Sequence, residues 1–208
     1  QGEWRRDFIN LPYSPDLPGR TVGIIGFGRI GQLVARKLSG FEVRLLAHDP
    51  YAGPEAAAAL NVTLTDLDTL LKESDFVTIH ARLTEENEHM LGARELALMK
   101  PTAVLVNTAR SGLVDEDALY QALRDRKIGG AALDVFDREP PGKDYPLVTL
   151  DNCTITTHMA GTTRDALAKA PHRLARELAK LFRGEEPRPW VNRGRVPFRA
   201  FSTGHSAF

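Results

Sequence analysis

The chain has 208 residues, of which 42% are apolar and 26% are charged, and its 27 basic and 27 acidic side chains give a formal net charge of zero. These values predict one globular domain, or one domain and part of a second, and exclude collagen-like, disordered and disulfide-rich classes. They also argue against a nucleic acid or an anionic membrane surface as the main partner, because both attract an excess of Lys and Arg. No apolar run approaches the roughly 18 residues of a membrane-spanning helix.

The cysteine content and the start of the chain bear on the compartment. Cys153 is the single cysteine, so no internal disulfide can form, and no Cys or His spacing resembles a zinc site. We therefore expect no metal and a reducing compartment such as the cytoplasm. The sequence has no signal-peptide pattern, and because it starts at Gln1 rather than Met we expect a processed or truncated piece.

Three segments follow one another along the chain. Prolines interrupt residues 1–19, which we interpret as an arm or linker. Over residues 20–184, short apolar runs alternate with helical patterns, which predicts a doubly wound parallel α/β sheet of the Rossmann type. Several strands are continuously apolar, as expected when helices cover both faces of a sheet. Residues 185–208 are interpreted as a loosely ordered tail, with a binding arm as the alternative.

Apolar spacing places the individual elements. Pro54 suits the first turn of a helix, and a further helix is predicted over residues 115–127. Between the first two strands, a helix with one buried face is predicted from the spacing of Ile30, Leu33, Val34, Leu38 and Phe41. The predicted strands are residues 21–26, 42–48, 76–80, 103–107, 130–135 and 153–157.

Residues 21–31, TVGIIGFGRIG, join a strand to a helix through the pattern GxGxxG. In such a loop Gly26 permits a tight turn, Gly28 lets the backbone approach a pyrophosphate, and Gly31 lets the helix pack closely on the strand. The helix N-terminus then offers free N–H groups to the phosphates. Because glycines also mark ordinary turns, the loop predicts dinucleotide binding only together with its context.

That context is Asp49, which ends the second strand 18 residues after Gly31. An acid at this place accepts hydrogen bonds from the ribose hydroxyls and repels a 2′-phosphate, which favours NAD over NADP. The alternative is a turn residue before Pro50. Arg29 lies at the helix start, where pyrophosphate or solvent is a better neighbour than a 2′-phosphate.

Polar residues follow the later strands, and open parallel sheets bind ligands at the carboxyl ends of their strands. Arg110 is suited to hold a carboxylate, the alternative being a surface arginine opposite Asp115. The polar residues at these strand ends are His80, Thr108, Arg110, Asp134 and His158, and Ala109 lies between Thr108 and Arg110.

His158 is either a general acid and base or a structural histidine at a helix entry. Glu139, between Arg110 and His158 in sequence, would orient the imidazole and favour its protonated form if its carboxylate reaches the ring. It is otherwise one of many exposed acids. If the pair forms, a protonated His158 can protonate a carbonyl oxygen as hydride arrives, while Arg110 holds the substrate.

Together these residues resemble the D-isomer specific 2-hydroxyacid dehydrogenases, the family of D-3-phosphoglycerate dehydrogenase, hydroxypyruvate and glyoxylate reductases, and formate and phosphite dehydrogenases. The similarity extends over residues 17–192. It rests on five segments in the family's order: LPGRTVGIIGFGRIG, DFVTIHARLT, LMKPTAVLVNTARSGLVDEDAL, GAALDVFDREP and TTHMAG.

The resemblance implies an NAD-dependent oxidoreductase that reversibly reduces a 2-keto acid to a D-2-hydroxy acid. It places Arg110, Glu139 and His158 at the family's catalytic positions. Formate dehydrogenases of the family have glutamine in place of Glu139, whereas D-lactate dehydrogenases share the glutamate. By the same resemblance, the cofactor-binding residues are Gly26, Gly28, Arg29, Ile30, Gly31, Asp49, His80, Ala81, Thr108, Ala109, Arg110, Asp134, His158 and Gly161.

Departures from the family pattern are also visible. Ser111 stands where glycine is common, Thr157 where proline is common, and Pro171 falls in a predicted helix, where we expect a kink or break. The family's substrate-binding lobe is largely absent from this chain. The resemblance therefore implies a chain that folds and binds NAD but turns over 2-keto acids poorly without a longer parent chain. It also suggests a homodimer formed through the cofactor domain.

Two other functions share these residues. The family includes transcriptional corepressors, so an NAD-binding interaction module is an alternative, although retention of all three catalytic positions favours an enzyme. Phosphite oxidation uses the same three residues. The identity of the 2-hydroxy acid stays open, because the side chains that select it belong mostly to the missing lobe.

Overall fold

The computed structural model describes residues 16–186, which belong to two compact units divided between His158 and Met159. The first unit contains the sheet, and the second contains one long helix. Most of the predicted arm over residues 1–19 and of the predicted tail over residues 185–208 lies outside the described residues. Among those described, no helix is long and apolar enough to cross a membrane.

The first unit is built on a sheet of seven parallel strands in the order β3-β2-β1-β4-β5-β6-β7. The order reverses between β1 and β4, so a crevice opens there at the carboxyl ends of the strands. The doubly wound fold is thus confirmed. The strands are β1 Thr21–Ile25, β2 Arg44–His48, β3 Val62–Leu64, β4 Phe76–Ile79, β5 Val104–Asn107, β6 Gly130–Leu133 and β7 Cys153–Ile155.

Helices connect the strands. Asp66 and Asp115 accept hydrogen bonds from backbone N–H groups and so cap α3 and α5, each contact contributing about 1 kcal/mol. Pro54 occupies the first position of α2, as predicted. The α-helices of the first unit are α1 Arg29–Leu38, α2 Pro54–Ala58, α3 Leu67–Glu73, α4 Ala93–Leu96 and α5 Glu116–Arg124.

The core lies on both faces of the sheet. Successive side chains of a strand point to opposite faces, so Val22 and Ile24 belong to one buried cluster and Ile25 to the other. In β2, Leu46 likewise faces away from its neighbours Leu45 and Ala47. Because both faces are covered by apolar layers, these strands are continuously apolar in sequence. The same layers hold the carboxyl edge of the sheet in place.

The face that α1 buries differs from the prediction. Ile30, Leu33 and Phe41 are 62%, 53% and 48% exposed, whereas the buried residues of the helix are Gly31 and Ala35. The glycine-rich loop brings α1 so close to the sheet that only small side chains fit beneath it. Three of the five apolar residues predicted on the buried face are therefore exposed. The other two, Val34 and Leu38, do pack on the core.

The second unit contains α6, Arg164–Phe182, capped by Thr163, whose side chain accepts from the N–H of Ala166. The helix continues through Pro171, so no break occurs there, and the alternative expectation of a kink stays a prediction. Proline removes one hydrogen bond, and the turns on either side retain theirs, which is enough to keep a helix of this length continuous.

Candidate cofactor-binding and catalytic site

The glycine-rich loop follows β1 at the switch point of the sheet. Gly26 has φ +89°, and a Cβ there would lie 2.4 Å from the backbone nitrogen of Ala81, which follows β4. A Cβ on Gly31 would lie 2.2 Å from the carbonyl oxygen of Gly26, whereas one on Gly28 would meet nothing within 4 Å. Two of the three glycines are therefore required by the fold itself, and Gly28 leaves open space beside the loop.

The N-terminus of α1 faces that open space without a side-chain cap. Gly28 is the N-cap residue, and no side chain accepts a hydrogen bond from the first turn. The first N–H groups of a helix have no partner within the helix, and they carry the positive end of its dipole. Arg29 and Ile30 are exposed in this first turn. The arrangement suits a pyrophosphate.

Asp49 follows β2 beside the same loop. Its Oδ2 accepts from the N–H of Phe27 at 2.8 Å, and its Oδ1 accepts from the N–H of Tyr51 at 2.9 Å. The contact with Tyr51 is that of a turn residue, which was the alternative to a ribose-binding acid. Asp49 can fill both roles, because the two use different lone pairs. Each carboxylate oxygen has a further lone pair, which leaves acceptors for the hydroxyls of a ribose.

His80 and Ala81 follow β4 across the switch point. His80 is half-buried, and burial lowers the pKa of its imidazole, so the ring is neutral at physiological pH. Its Nε2 lies 3.1 Å from Oγ1 of Thr78. Ala81 lies against Gly26, as its backbone nitrogen would be the nearest neighbour of a Cβ there. Both residues are thus placed at the predicted crevice.

Arg110 follows β5 in a turn organised by Asn107. The buried Asn107 side chain accepts from the N–H of Ala109 at 3.0 Å and donates to the carbonyl oxygen of Arg110 at 2.9 Å. The exposed guanidinium of Arg110 donates to the carbonyl oxygen of Ala109. Within residues 16–186 it forms no ion pair with Asp115, whose carboxylate caps α5 instead. Thr108, also exposed, precedes them in the turn.

Asp134 follows β6 and is 2% exposed. The hydroxyl of Thr156, just after β7, donates a short hydrogen bond of 2.5 Å to Oδ1 of Asp134. The carboxyl ends of β6 and β7 are thereby joined two residues before His158. Gly161 belongs to the second unit, in the segment that leads into α6, so its cofactor role stays a prediction.

Glu139 and His158 meet at the end of β7. Oε2 of Glu139 lies 2.8 Å from Nδ1 of His158, and Oε1 accepts from the N–H of Phe136 at 3.0 Å. The hydrogen bond from His158, together with the Phe136 N–H, holds the pKa of Glu139 below its usual value. The two side chains are 36% and 51% exposed, so a small molecule can reach them. His158 has φ +55°, a conformation that costs a non-glycine residue about 1 kcal/mol and is enriched at functional sites.

Comparison with protein families decides the identification. Residues 1–160 match the family described as D-isomer specific 2-hydroxyacid dehydrogenase, NAD binding domain. The chain belongs to this family. The NAD-binding Rossmann domain and NAD as its cofactor, both predicted from the sequence, are confirmed at this level.

Known members of the 2-hydroxyacid dehydrogenases extend the match over most of the chain. D-3-phosphoglycerate dehydrogenase of Methanocaldococcus jannaschii is 43% identical over 199 residues, which are 95% of this chain and 37% of that protein. Glyoxylate reductase of Korarchaeum cryptofilum is 42% identical over 202 residues, 96% of this chain and 60% of that protein. The chain thus spans about 37–60% of the length of these relatives.

A solved structure of a 2-hydroxyacid dehydrogenase gives the same result. D-lactate dehydrogenase of Lactobacillus jensenii, crystallised with NAD⁺, superposes with a TM-score of 0.78 at 32% identity, covering 85% of this chain and 56% of that one. The residues present here fit the cofactor, since Gly28 leaves room at an uncapped helix N-terminus and Asp49 offers acceptors beside it. Within residues 16–186, no group of His, Cys, Asp or Glu is placed to hold a metal ion.

Two residues of this dehydrogenase domain escaped the sequence interpretation. Asn107 shapes the turn that carries Arg110, and Thr156, two residues before His158, donates a hydrogen bond to Asp134. The position of Asn107 after a strand and three residues before Arg110 was the available signal. Thr156 gave no comparable signal, because its partner is distant in sequence.

Proposed function

We propose that this chain is the cofactor domain of an NADH-dependent reductase that converts 2-keto acids to D-2-hydroxy acids, and that it supplies the groups that move the proton. The observation that carries the proposal is the 2.8 Å contact between Glu139 and His158, at the same carboxyl edge of the sheet as the glycine-rich loop and Asp49. When bound, NADH supplies the hydride.

The proton passes through His158. Because Glu139 holds Nδ1, Nε2 is the nitrogen that exchanges a proton with the substrate oxygen. The ionised Glu139 fixes the ring orientation and stabilises the imidazolium before the proton is given up. In the reverse direction the neutral imidazole takes the proton from the hydroxyl group.

Arg110 binds the carboxylate of the substrate. Its guanidinium is exposed and, among the described residues, donates to the backbone carbonyl of Ala109, so one hydrogen bond is exchanged when it turns toward an anion. A guanidinium binds a carboxylate through two parallel hydrogen bonds and remains charged at every physiological pH. Since the whole chain carries no net charge, the attraction for an anionic substrate is local.

We propose that catalysis also requires a substrate lobe, because this chain spans only about 37–60% of the length of its relatives. We propose residues 20–184 as the cofactor domain, with residues 1–19 as an arm from the substrate lobe and residues 185–208 as a tail. The names of the relatives suggest two candidate substrates, glyoxylate and the 2-keto acid that corresponds to 3-phosphoglycerate.

The test is NADH oxidation by the longest native protein that contains this chain, with glyoxylate, hydroxypyruvate and phosphohydroxypyruvate as substrates. We expect at least one of them to support turnover, and Arg110→Ala to abolish most of it. Equal rates of NADH oxidation with and without Arg110 would contradict the proposed role of Arg110 in binding the substrate carboxylate. If the protein reduces NAD⁺ with phosphite but does not reduce keto acids, the substrate is phosphite and not a 2-keto acid.

The assembly and the compartment belong to the same proposal. We propose a homodimer through the cofactor domain and a cytoplasmic location, on the basis of family resemblance and of the single half-buried cysteine. Sedimentation equilibrium of the native protein tests the first: a mass of one chain at micromolar concentration would contradict it.

A further inference from the structure

Glu116 lies in the first turn of α5 and contacts both ends of the loop that carries Glu139. Its Oε1 accepts from the N–H of Asp137 at 3.0 Å, and its Oε2 accepts from the hydroxyl of Tyr145. We call residues 136–145 the Glu139 loop. Glu139 lies between these two contacts, so a single carboxyl group from α5 joins the start of the loop to its end.

The interior of the Glu139 loop connects those contacts to Glu139. The rings of Phe136 and Tyr145 meet edge to face at 5.9 Å, and the guanidinium of Arg138 lies 5.6 Å from the centre of the Tyr145 ring. Phe136, next to Asp137, donates its N–H to Oε1 of Glu139. Displacing Asp137 or Tyr145 would therefore displace the carboxylate that holds His158.

The N-terminus of α5 has a side-chain cap other than Glu116. Asp115 already caps α5 by accepting from the N–H of Ala118. Burial raises the pKa of Glu116 to about 7, with smaller contributions in the same direction from Asp137 and Asp117, while the hydrogen bond from the Asp137 N–H opposes the rise. A half-buried carboxyl group that is costly to ionise, and that makes both its contacts to one loop, points to a role in that loop.

We propose that Glu116 is a positioning residue, which acts through the Asp137 N–H and the Tyr145 hydroxyl to hold Glu139 against His158. This inference rests on the proposed function for its catalytic consequence, whereas its structural part concerns the described residues alone. Glu116 itself makes no contact with the imidazole. Removal of the Glu116 side chain is therefore expected to lower activity by no more than removal of the Glu139 carboxylate does.

Amide hydrogen exchange of this chain tests the structural part. In Glu116→Ala we expect the Phe136 amide to exchange about tenfold faster, since the loop is released, while the amides of β1 are unchanged. Tyr145→Phe, which removes only the second contact, should give a smaller increase. Asp66→Ala is the matched control, because it removes the side-chain cap of α3 without touching the Glu139 loop. An unchanged Phe136 amide in Glu116→Ala overturns the proposal.

Kinetics of the native protein test the catalytic part. We expect Glu116→Ala to lower kcat about tenfold with little change in the Kd of NADH, and Glu116→Gln to retain more activity because its carbonyl oxygen still accepts one hydrogen bond. The double variant with Glu139→Gln should be no slower than Glu139→Gln alone, because both changes remove one function.

The outcomes separate the two proposals. If Glu139→Gln leaves kcat unchanged, the proposed function fails while the exchange result still decides the loop contacts. If Glu139→Gln is slow but Glu116→Ala is not, or if their effects on kcat multiply in the double variant, the positioning role of Glu116 fails and the proposed function stands.

Discussion

Glu139 and His158 share a 2.8 Å contact between Oε2 and Nδ1, although they stand 19 positions apart in the sequence and follow different strands. The pairing depends on the parallel sheet, which brings the carboxyl ends of β6 and β7 to one edge. It also depends on the Glu139 loop, which returns from β6 toward β7. The two side chains thus form a hydrogen-bonded pair that neither strand could build alone.

Loss of His158 should affect the chemical step more than binding. We expect His158→Gln to lower kcat of the native protein by roughly 10²–10⁴-fold, the usual contribution of a general acid, and Glu139→Gln to lower it by a smaller factor. The Kd of NADH should change little in Glu139→Gln, because Glu139 is not among the predicted cofactor-binding residues. His172→Gln, an exposed histidine in α6, is the control. A full kcat in His158→Gln, measured by NADH absorbance, would falsify the assignment.

The titration of Glu139 should depend on His158. The hydrogen bond from His158 is the largest cause that lowers the pKa of Glu139, so this pKa should rise toward the ordinary value in His158→Ala. The contact therefore stabilises the folded chain above the ordinary pKa of a glutamate and is lost as the pH falls through the lowered value. Carbon NMR of the Glu139 carboxyl group measures both midpoints. Identical midpoints would show that the pair does not form in solution.

Arg110 should be needed for its shape as well as its charge. We expect Arg110→Ala to lower kcat/KM by roughly 10–100-fold through a higher KM, given about 1.5–3 kcal/mol for hydrogen bonds to a charged group. Arg110→Lys should recover only part of this, because an ammonium group cannot bind a carboxylate in the same paired geometry. The control is Arg126→Lys, whose partner is the exposed Asp151. Full recovery in Arg110→Lys contradicts paired binding.

Two glycines of one loop should respond in opposite ways. Gly31→Ala places a methyl group 2.2 Å from the Gly26 carbonyl oxygen, so we expect a loss of stability of about 1–3 kcal/mol or more. Gly28→Ala meets no atom within 4 Å, so its melting temperature should be near that of the parent chain while its affinity for NADH falls. Thermal unfolding and calorimetry of both variants measure this. A stable Gly31→Ala chain contradicts the close packing of α1.

Much of the sheet was predictable because five of its strands have four or five residues and are mostly apolar. The missed strand, β3, has only three residues, Val62–Leu64, and its alternation around the exposed Thr63 is too short to distinguish it from a loop. Of the residues predicted on the buried face of the first helix, Val34 and Leu38 do pack on the core, whereas Ile30, Leu33 and Phe41 are exposed. Apolar spacing alone does not reveal how close a helix lies to the sheet.

For the candidate site, the sequence predicted which residues follow the strands but not which of their side chains touch. The sequence places Arg110 and His158 after strands, and the parallel fold then brings those ends together. The contact between Glu139 and His158 was stated only conditionally, because the Glu139 loop is contacted at both ends by Glu116, which is remote from the loop in sequence. Contacts of that kind appear only once the chain is folded.

Titration calorimetry of this chain with NADH and with NADPH tests the central claim most directly, since it needs no substrate lobe. We expect NADH to bind more tightly than NADPH, and Asp49→Asn to weaken NADH binding about tenfold or more, because hydrogen bonds to a charged group are lost. Asp151→Asn, an exposed acid paired with Arg126, should leave the affinity unchanged. Tighter binding of NADPH, or an Asp49→Asn chain that binds NADH as well as its parent, would contradict an NAD site at this edge of the sheet.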